Sequence, residues 1–153
     1  MSDSTKESEV KPYQSEGSKK EQVAKMFDNI AHRYDFLNHF FSLGIDVLWR
    51  RKAIRLLKKN HPKKILDIAT GTGDFAFEAL RLNPEKVVGI DISAGMIGVG
   101  QQKVQKRKKS GLVELKIGDS EQLEFANNSF DAITVGFGVR NFENLEKGLR
   151  EMA

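Results

Sequence analysis

Two glycines one residue apart, Gly71 and Gly73, separate an apolar run from a helical pattern in Ile65-Leu66-Asp67-Ile68-Ala69-Thr70-Gly71-Thr72-Gly73-Asp74-Phe75-Ala76. Glycine admits positive φ and lets a ligand come close to the main chain. The N–H groups at a helix start lack intrahelical partners and point into the loop mouth. In an open α/β sheet such a strand–loop–helix turn receives nucleotide-like ligands at the carboxyl ends of the strands, although the same spacing also serves an ordinary tight turn. Asp91 favours the first use. It lies 20 residues past Gly71 and ends the apolar run Val87-Val88-Gly89-Ile90. A carboxylate there can accept hydrogen bonds from both ribose hydroxyls of a bound adenosine.

Three further groupings have chemical content. Gly118-Asp119-Ser120 follows a short alternating run, and an acid there can hold the exocyclic amine of an adenine; the same Asp also suits a turn or helix cap. In Gly136-Phe137-Gly138-Val139-Arg140-Asn141 the small residues leave room for a ligand. Arg140 and Asn141 then put a fixed charge and an amide at the mouth, or serve as a surface Arg and a cap for the next helix. Between Tyr34 and Gly44 four aromatics are mixed with polar groups. They fit either a packed helical cap over a sheet or a lid on a substrate.

These residues need a frame of alternating strands and helices. Val23, Met26, Phe27, Ile30 and Tyr34 recur at helical spacing from Lys19. Asp46 is placed to cap a second helix with Leu48, Trp49, Ala53, Leu56 and Leu57 inward and Arg50, Arg51, Lys58 and Lys59 outward, stopped by His61-Pro62. Strands are expected over 64–69, 86–91, 113–117 and 130–137, the last buried on both faces. Helices are expected over 73–82 and 94–109, and from Glu143 with Leu145, Leu149 and Met152 on the apolar side. The fold class is α/β, a parallel doubly wound sheet in the order third, second, first, fourth. Residues 1–18 read as a disordered tail, 19–62 as an N-terminal helical cap and 63–153 as the sheet domain.

The bulk numbers exclude several classes. Lys and Arg exceed Asp and Glu by four (25 − 21) in 153 residues, a spread excess that does not point to nucleic acid. With no cysteine there is neither disulfide nor thiolate chemistry. No apolar run approaches a membrane span or a signal peptide, so a cytoplasmic location is expected. No His/Cys/Asp spacing suggests metal ligands. The pattern stops at Ala153 inside a helix, without cap, Gly or Pro. The expectation is the N-terminal part of a longer protein, its sheet truncated before the C-terminal strands. The exposed fourth-strand edge is then a site for homodimer pairing.

Asp67-Ile68-Ala69-Thr70-Gly71-Thr72-Gly73-Asp74 resembles the first motif of Rossmann-like S-adenosylmethionine-dependent methyltransferases, and Asp91, Gly118-Asp119-Ser120 and Phe130-Asp131-Ala132-Ile133 are similar to their later motifs. More closely, the chain resembles the UbiE/MenG-type methyltransferases of menaquinone and ubiquinone synthesis. Their signature Y-D-x-M-N-x-x-apolar-S-x-x-x-H-x-x-W is met by Tyr34, Asp35, Asn38, Ser42 and Trp49, with Leu37 for Met and Asp46 for His, so no role is carried to Asp46. Gly136–Asn141 is similar to a second hallmark, and the C-terminal signature has no counterpart. The resemblance implies methyl transfer from S-adenosylmethionine to a ring carbon of a reduced polyprenyl quinone. By it, Gly71, Thr72 and Gly73 pass beneath the cofactor, Asp91 binds its ribose, Asp119 and Ser120 flank the adenine, and Gly136 lies near the methionine portion. Arg140 stabilises the developing phenolate or helps take its proton through a water. Asn141 orients the ring, and Tyr34 and Asn38 close the pocket. A lipid substrate also implies peripheral membrane contact, assigned to Phe36, Phe40, Phe41, Trp49, Arg50 and Arg51. The competing readings are a cofactor-binding fragment without activity and a nicotinamide-dependent oxidoreductase, for which no hydride-site residue stands out.

Overall fold

The computed structural model describes residues 17–153. The tail read over 1–18 lies, up to Glu16, outside them. Ser18 opens α1 (Lys19–Ser42) with a capping box: its hydroxyl accepts from the Glu21 N–H and the Glu21 carboxylate accepts from the Ser18 N–H. The helix runs unbroken through the aromatic stretch, 24 residues in all. It ends at Leu43 and Gly44, with φ of 51° and 81°. α2 (Ile45–Leu57) follows at once.

The rest is a four-stranded, all-parallel sheet in the order β3-β2-β1-β4. β1 is Lys64–Ile68, β2 Lys86–Asp91, β3 Val113–Ile117 and β4 Ala132–Val135. α3 (Asp74–Ala79), α4 (Ala94–Lys106) and α5 (Leu145–Met152) are the remaining helices. Ile68 pairs with Ile90 and with Val135, so the central strands finish at one level and their following loops share one end of the sheet. Successive side chains of β1 and β2 face opposite layers. Ile65 and Val87 join Ile54, Phe75 and Ile97 on one side, and Leu66, Ile68, Val88 and Ile90 join Phe142 on the other.

Three expectations about faces need correcting. Asp46 does not cap α2; Gly44 holds the cap position, and Asp46 is buried within the first turn. Arg50 is buried as well, whereas Leu48 and Leu56 are exposed. The fully buried stripe is Asp46, Arg50 and Ile54, at i, i+4 and i+8, and beside it Trp49, Ala53 and Leu57 pack inward as expected. Its polar members are paired: Asp46 accepts from Arg50 at 2.7 Å and from Ser42 at 2.6 Å, and lies 2.9 Å from His39. Such mutual pairing is what makes a buried charge tolerable. β4 spans only 132–135, and Phe137 starts a 3-10 turn, Phe137–Asn141. Among the β4 residues only Thr134 is buried, because among the described residues β4 has a strand on one side alone. On α5 the buried residue is Gly148, set against Phe142, while Leu145 and Leu149 stay half exposed.

Candidate active site

The loop after β1 is shaped by hydrogen bonds to two carboxylates. Ala69, Gly71 and Gly73 all have positive φ, and Gly73 donates back to the Thr70 carbonyl. Asp67 has almost no solvent exposure. It accepts from Thr70 Oγ1 and Thr134 Oγ1, both at 2.6 Å. Asp91 accepts from the Gly71 N–H at 2.8 Å and the Ser93 N–H at 2.9 Å. Ser93 then caps α4 by accepting from the Met96 N–H.

A cavity of about 270 Å³ opens over the carboxyl ends of the strands. Its floor includes Gly71 and Thr72, and Asp91 stands beside them. Asp119 and Ser120 line one end; Gly136, Arg140 and Asn141 line another part of the wall. Tyr34 and Asn38 reach it from α1. Gly73 does not line the cavity: a Cβ there would meet Leu115 at 2.9 Å, so this glycine serves packing under the loop. The other sequence-selected site residues converge on one space.

Several lining residues were not selected from sequence. Lys20, Val23 and Phe27 descend from α1, and Trp49 and Phe137 form an edge-to-face pair at 5.0 Å. Trp49 also packs edge-on to Phe75, so it faces the cavity and is not part of an outward membrane face. Val23 and Phe27 carried a signal, helical spacing with Tyr34, but that spacing reads equally as core. Arg140 is exposed, its Nε donating to the Phe137 carbonyl at 3.3 Å.

The electrostatics are dominated by acids. Burial pushes the Asp67 carboxyl up to about 6, against the bonds from Thr134 and Thr70. Burial also raises Asp91, opposed by the Ser93 and Gly71 amides. Tyr34 is raised by burial and then by Asp74, Asp91 and Asp35. Asp119 is lowered: burial works upward, but the bond from Lys20 at 2.6 Å outweighs it together with the Glu121 amide. The fold also groups His39, Asp46 and Asp74, with ligand atoms within 4.8 Å of one another, which no sequence spacing announced. Arg50 already sits there as the cation, 2.7 Å from Asp46 and 3.6 Å from Asp74.

Residues 15–153 match the ubiE/COQ5 methyltransferase family. The chain belongs to that family. It is 57% identical over 144 residues to a demethylmenaquinone methyltransferase of Bacteroides fragilis, covering 94% of this chain and 59% of the relative. It is 45% identical to the ubiquinone/menaquinone biosynthesis C-methyltransferase UbiE of Geotalea daltonii, covering 88% and 58%. The chain thus spans a little under three-fifths of the length of these relatives. A solved structure of a SAM dependent methyltransferase from Aquifex aeolicus superimposes with a TM-score of 0.56 at 24% identity, covering 63% of this chain and 54% of that one. The fold is the Rossmann-like methyltransferase fold, and the ubiE/COQ5 membership sets aside the nicotinamide reading.

In this family member the environment of Asp67 makes a pH prediction. Its folded pKa, about 6, lies above the ordinary 3.8, so between these values the folded state holds more proton than the unfolded one. Its contribution to stability therefore falls as pH rises through that window. In urea unfolding, the free-energy difference between Asp67→Asn and the parent should move in the variant's favour by on the order of 2 kcal/mol from pH 4 to pH 7. A pH-independent difference would contradict the assignment.

Proposed function

We propose that the protein transfers a methyl group from S-adenosylmethionine to a ring carbon of a polyprenyl quinol, demethylmenaquinol or the corresponding ubiquinone precursor. The observation that carries the reading is the convergence of the glycine loop, Asp91, Asp119 and the Gly136–Asn141 turn on one cavity. The printed name of the Bacteroides fragilis relative favours the menaquinone precursor.

The residues present fit this cofactor. Five acids, Asp67, Asp74, Asp91, Asp119 and Glu121, line the cavity against three cations, Lys20, Arg50 and Arg140, a balance that accommodates a cationic sulfonium. A carboxylate offers about four lone-pair positions. Two on Asp91 are used by amides, which leaves acceptors for ribose hydroxyls. When bound, S-adenosylmethionine supplies an electrophilic methyl group. The chain's own residues then orient the acceptor ring and manage its proton. A quinol carbon becomes nucleophilic as the neighbouring hydroxyl loses its proton. Arg140 stabilises the developing phenolate, or polarises a water that takes the proton; a guanidinium is itself too weak a base for direct removal. Asn141 orients the ring, while Tyr34 and Asn38 close the space from α1 and exclude water.

Asp91→Ala should weaken S-adenosylmethionine binding in a calorimetric titration by about 1–3 kcal/mol, the cost of losing charged hydrogen bonds. Arg140→Ala in the full-length enzyme should bind the cofactor normally and lose kcat. Unchanged affinity in the first variant, or unchanged kcat in the second, would remove that residue's role.

The same reading places the protein at the cytoplasmic face of a membrane. Among the described residues no helix is long and apolar enough to cross one. At the α1–α2 corner, however, Phe36, Phe40, Phe41, Leu43, Ile45 and Leu48 are 61–87% exposed. Lys52 and Arg55 on α2 are exposed too, and basic residues favour anionic lipid. Phe40→Ser with Phe41→Ser should abolish flotation of the full-length protein with anionic vesicles. Absence of flotation of the parent at every lipid composition would remove the membrane contact. The edge of β4, unpaired among the described residues, supports a second association, edge-to-edge pairing of the 153-residue chain. Sedimentation should give a dimer at high concentration; a monomer that unfolds cooperatively there would exclude it.

A further inference from the structure

α1 roofs the cavity along most of its length. Lys20, Val23, Phe27, Tyr34 and Asn38 all face it, 19 residues whose ends lie about 27 Å apart along the helix. Only Gln22, Val23 and Ala31 of this helix are fully buried; Met26, Phe27, Ile30, Tyr34 and Leu37 are partly so. Three polar clasps add to this partial burial.

The first clasp is Lys20 Nζ on Asp119 Oδ2 at 2.6 Å and on Glu121 Oε2 at 3.4 Å, beside Lys19 Nζ on the Phe142 carbonyl at 3.0 Å. The second is Asp28, whose Oδ1 accepts from Ser93 Oγ and, at 2.9 Å, from the Gly95 N–H at the start of α4. The helices approach so closely here that a Cβ on Gly95 would lie 3.1 Å from the Asp28 Cα. The third is Asp35, which accepts from Thr72 Oγ1 and pairs with Lys103 Nζ at 2.6 Å; the same ammonium lies 2.7 Å from Asp74. Each clasp closes on a residue in or next to the cofactor-binding set: Asp119 itself, Ser93 beside Asp91, and Thr72 of the glycine loop.

We propose that α1 is a latched cover on the cofactor site, and that Asp28 and Lys103 are positioning residues that set how fast the cofactor enters and leaves. Neither residue lines the cavity. The cover has a pivot where it meets α2: Leu43 and Gly44 are both left-handed, and a Cβ on Gly44 would meet nothing within 4 Å. Lifting α1 there breaks the clasps in turn and opens the cavity along its length. The inference rests on the S-adenosylmethionine reading of the cavity.

Binding kinetics separate a latch from a ligand contact. Losing a ligand contact raises koff and leaves kon unchanged, as for most changes to an interface. Losing a latch lowers the barrier in both directions, so kon and koff rise together while Kd stays nearly constant. Losing mere fold integrity lowers the binding-competent fraction and weakens apparent affinity. The experiment is stopped-flow binding of S-adenosylhomocysteine to the full-length protein. Asp28→Ala and Lys103→Met should each raise kon and koff by a common factor. Gly95→Ala reaches the same clasp from α4: its Cβ would press on the Asp28 backbone at 3.1 Å and push α1 away. It should raise both rates in the same way, which keeps the test valid if Asp28→Ala folds poorly. Parent-like kon in Asp28→Ala, Lys103→Met and Gly95→Ala overturns the latch while leaving the cofactor site standing. Failure of the parent to bind S-adenosylhomocysteine at all overturns the cofactor reading, and the latch with it.

Discussion

A carboxylate shut away from water holds the centre of this fold together. Asp67 stands on β1, the strand flanked by β2 and β4, and takes hydroxyl donors from Thr70 in the loop and Thr134 on β4. Burying an ionised acid is costly unless hydrogen bonds satisfy it, and the rise of its pKa records the part of that cost left over. In exchange the loop between β1 and α3 has one shape. That shape aims the Gly71 N–H at Asp91, which in turn takes the Ser93 N–H at the start of α4. The glycine loop, the end of β2 and the start of α4 are thus one hydrogen-bonded unit, and the cavity is what it encloses.

The roof over that unit is built on a different principle. Buried aliphatics fill the two layers beside the sheet, whereas α1 adds ion pairs and a capped amide to a face that is only partly buried. Hydrophobic burial is diffuse and hard to undo piecemeal; a few directional polar contacts can be released one after another. A roof fastened in this way can open over the cavity and close again without unfolding the layers below it.

How far the site was legible varies with the range of the interactions involved. The glycine loop, Asp91 and the strand–helix alternation were readable because each depends on neighbours in sequence: a periodicity, a turn, an acid at the end of a strand. The inward face of α2 was misread because apolar periodicity could not register a stripe made of Asp46 and Arg50. Its burial depends on His39 from α1 and Asp74 from α3. Trp49 was expected both on the inward side of α2, where it is, and on a membrane face, where it is not. Its indole looked fit for a membrane surface, yet Phe75 and Phe137, remote in sequence, turn it into the wall of the cavity. Gly73, chosen for its place in a ligand-binding motif, turns the chain with a φ of 90° and packs on Leu115 of β3.

The sequence by itself determined the α/β alternation, the parallel order of the strands and the identity of most residues that meet at the cavity, because local pattern and motif spacing carry that information. Only the tertiary structure decided how the cavity is covered. That Lys20 closes on Asp119 and Asp28 on Ser93 and Gly95 depends on the angle at which α1 crosses the ends of the strands. That angle comes from pairings 65 to 99 residues apart in the chain, and no local pattern records it. The loop between Gly71 and Gly73 is therefore a floor specified near at hand, under a roof specified at long range.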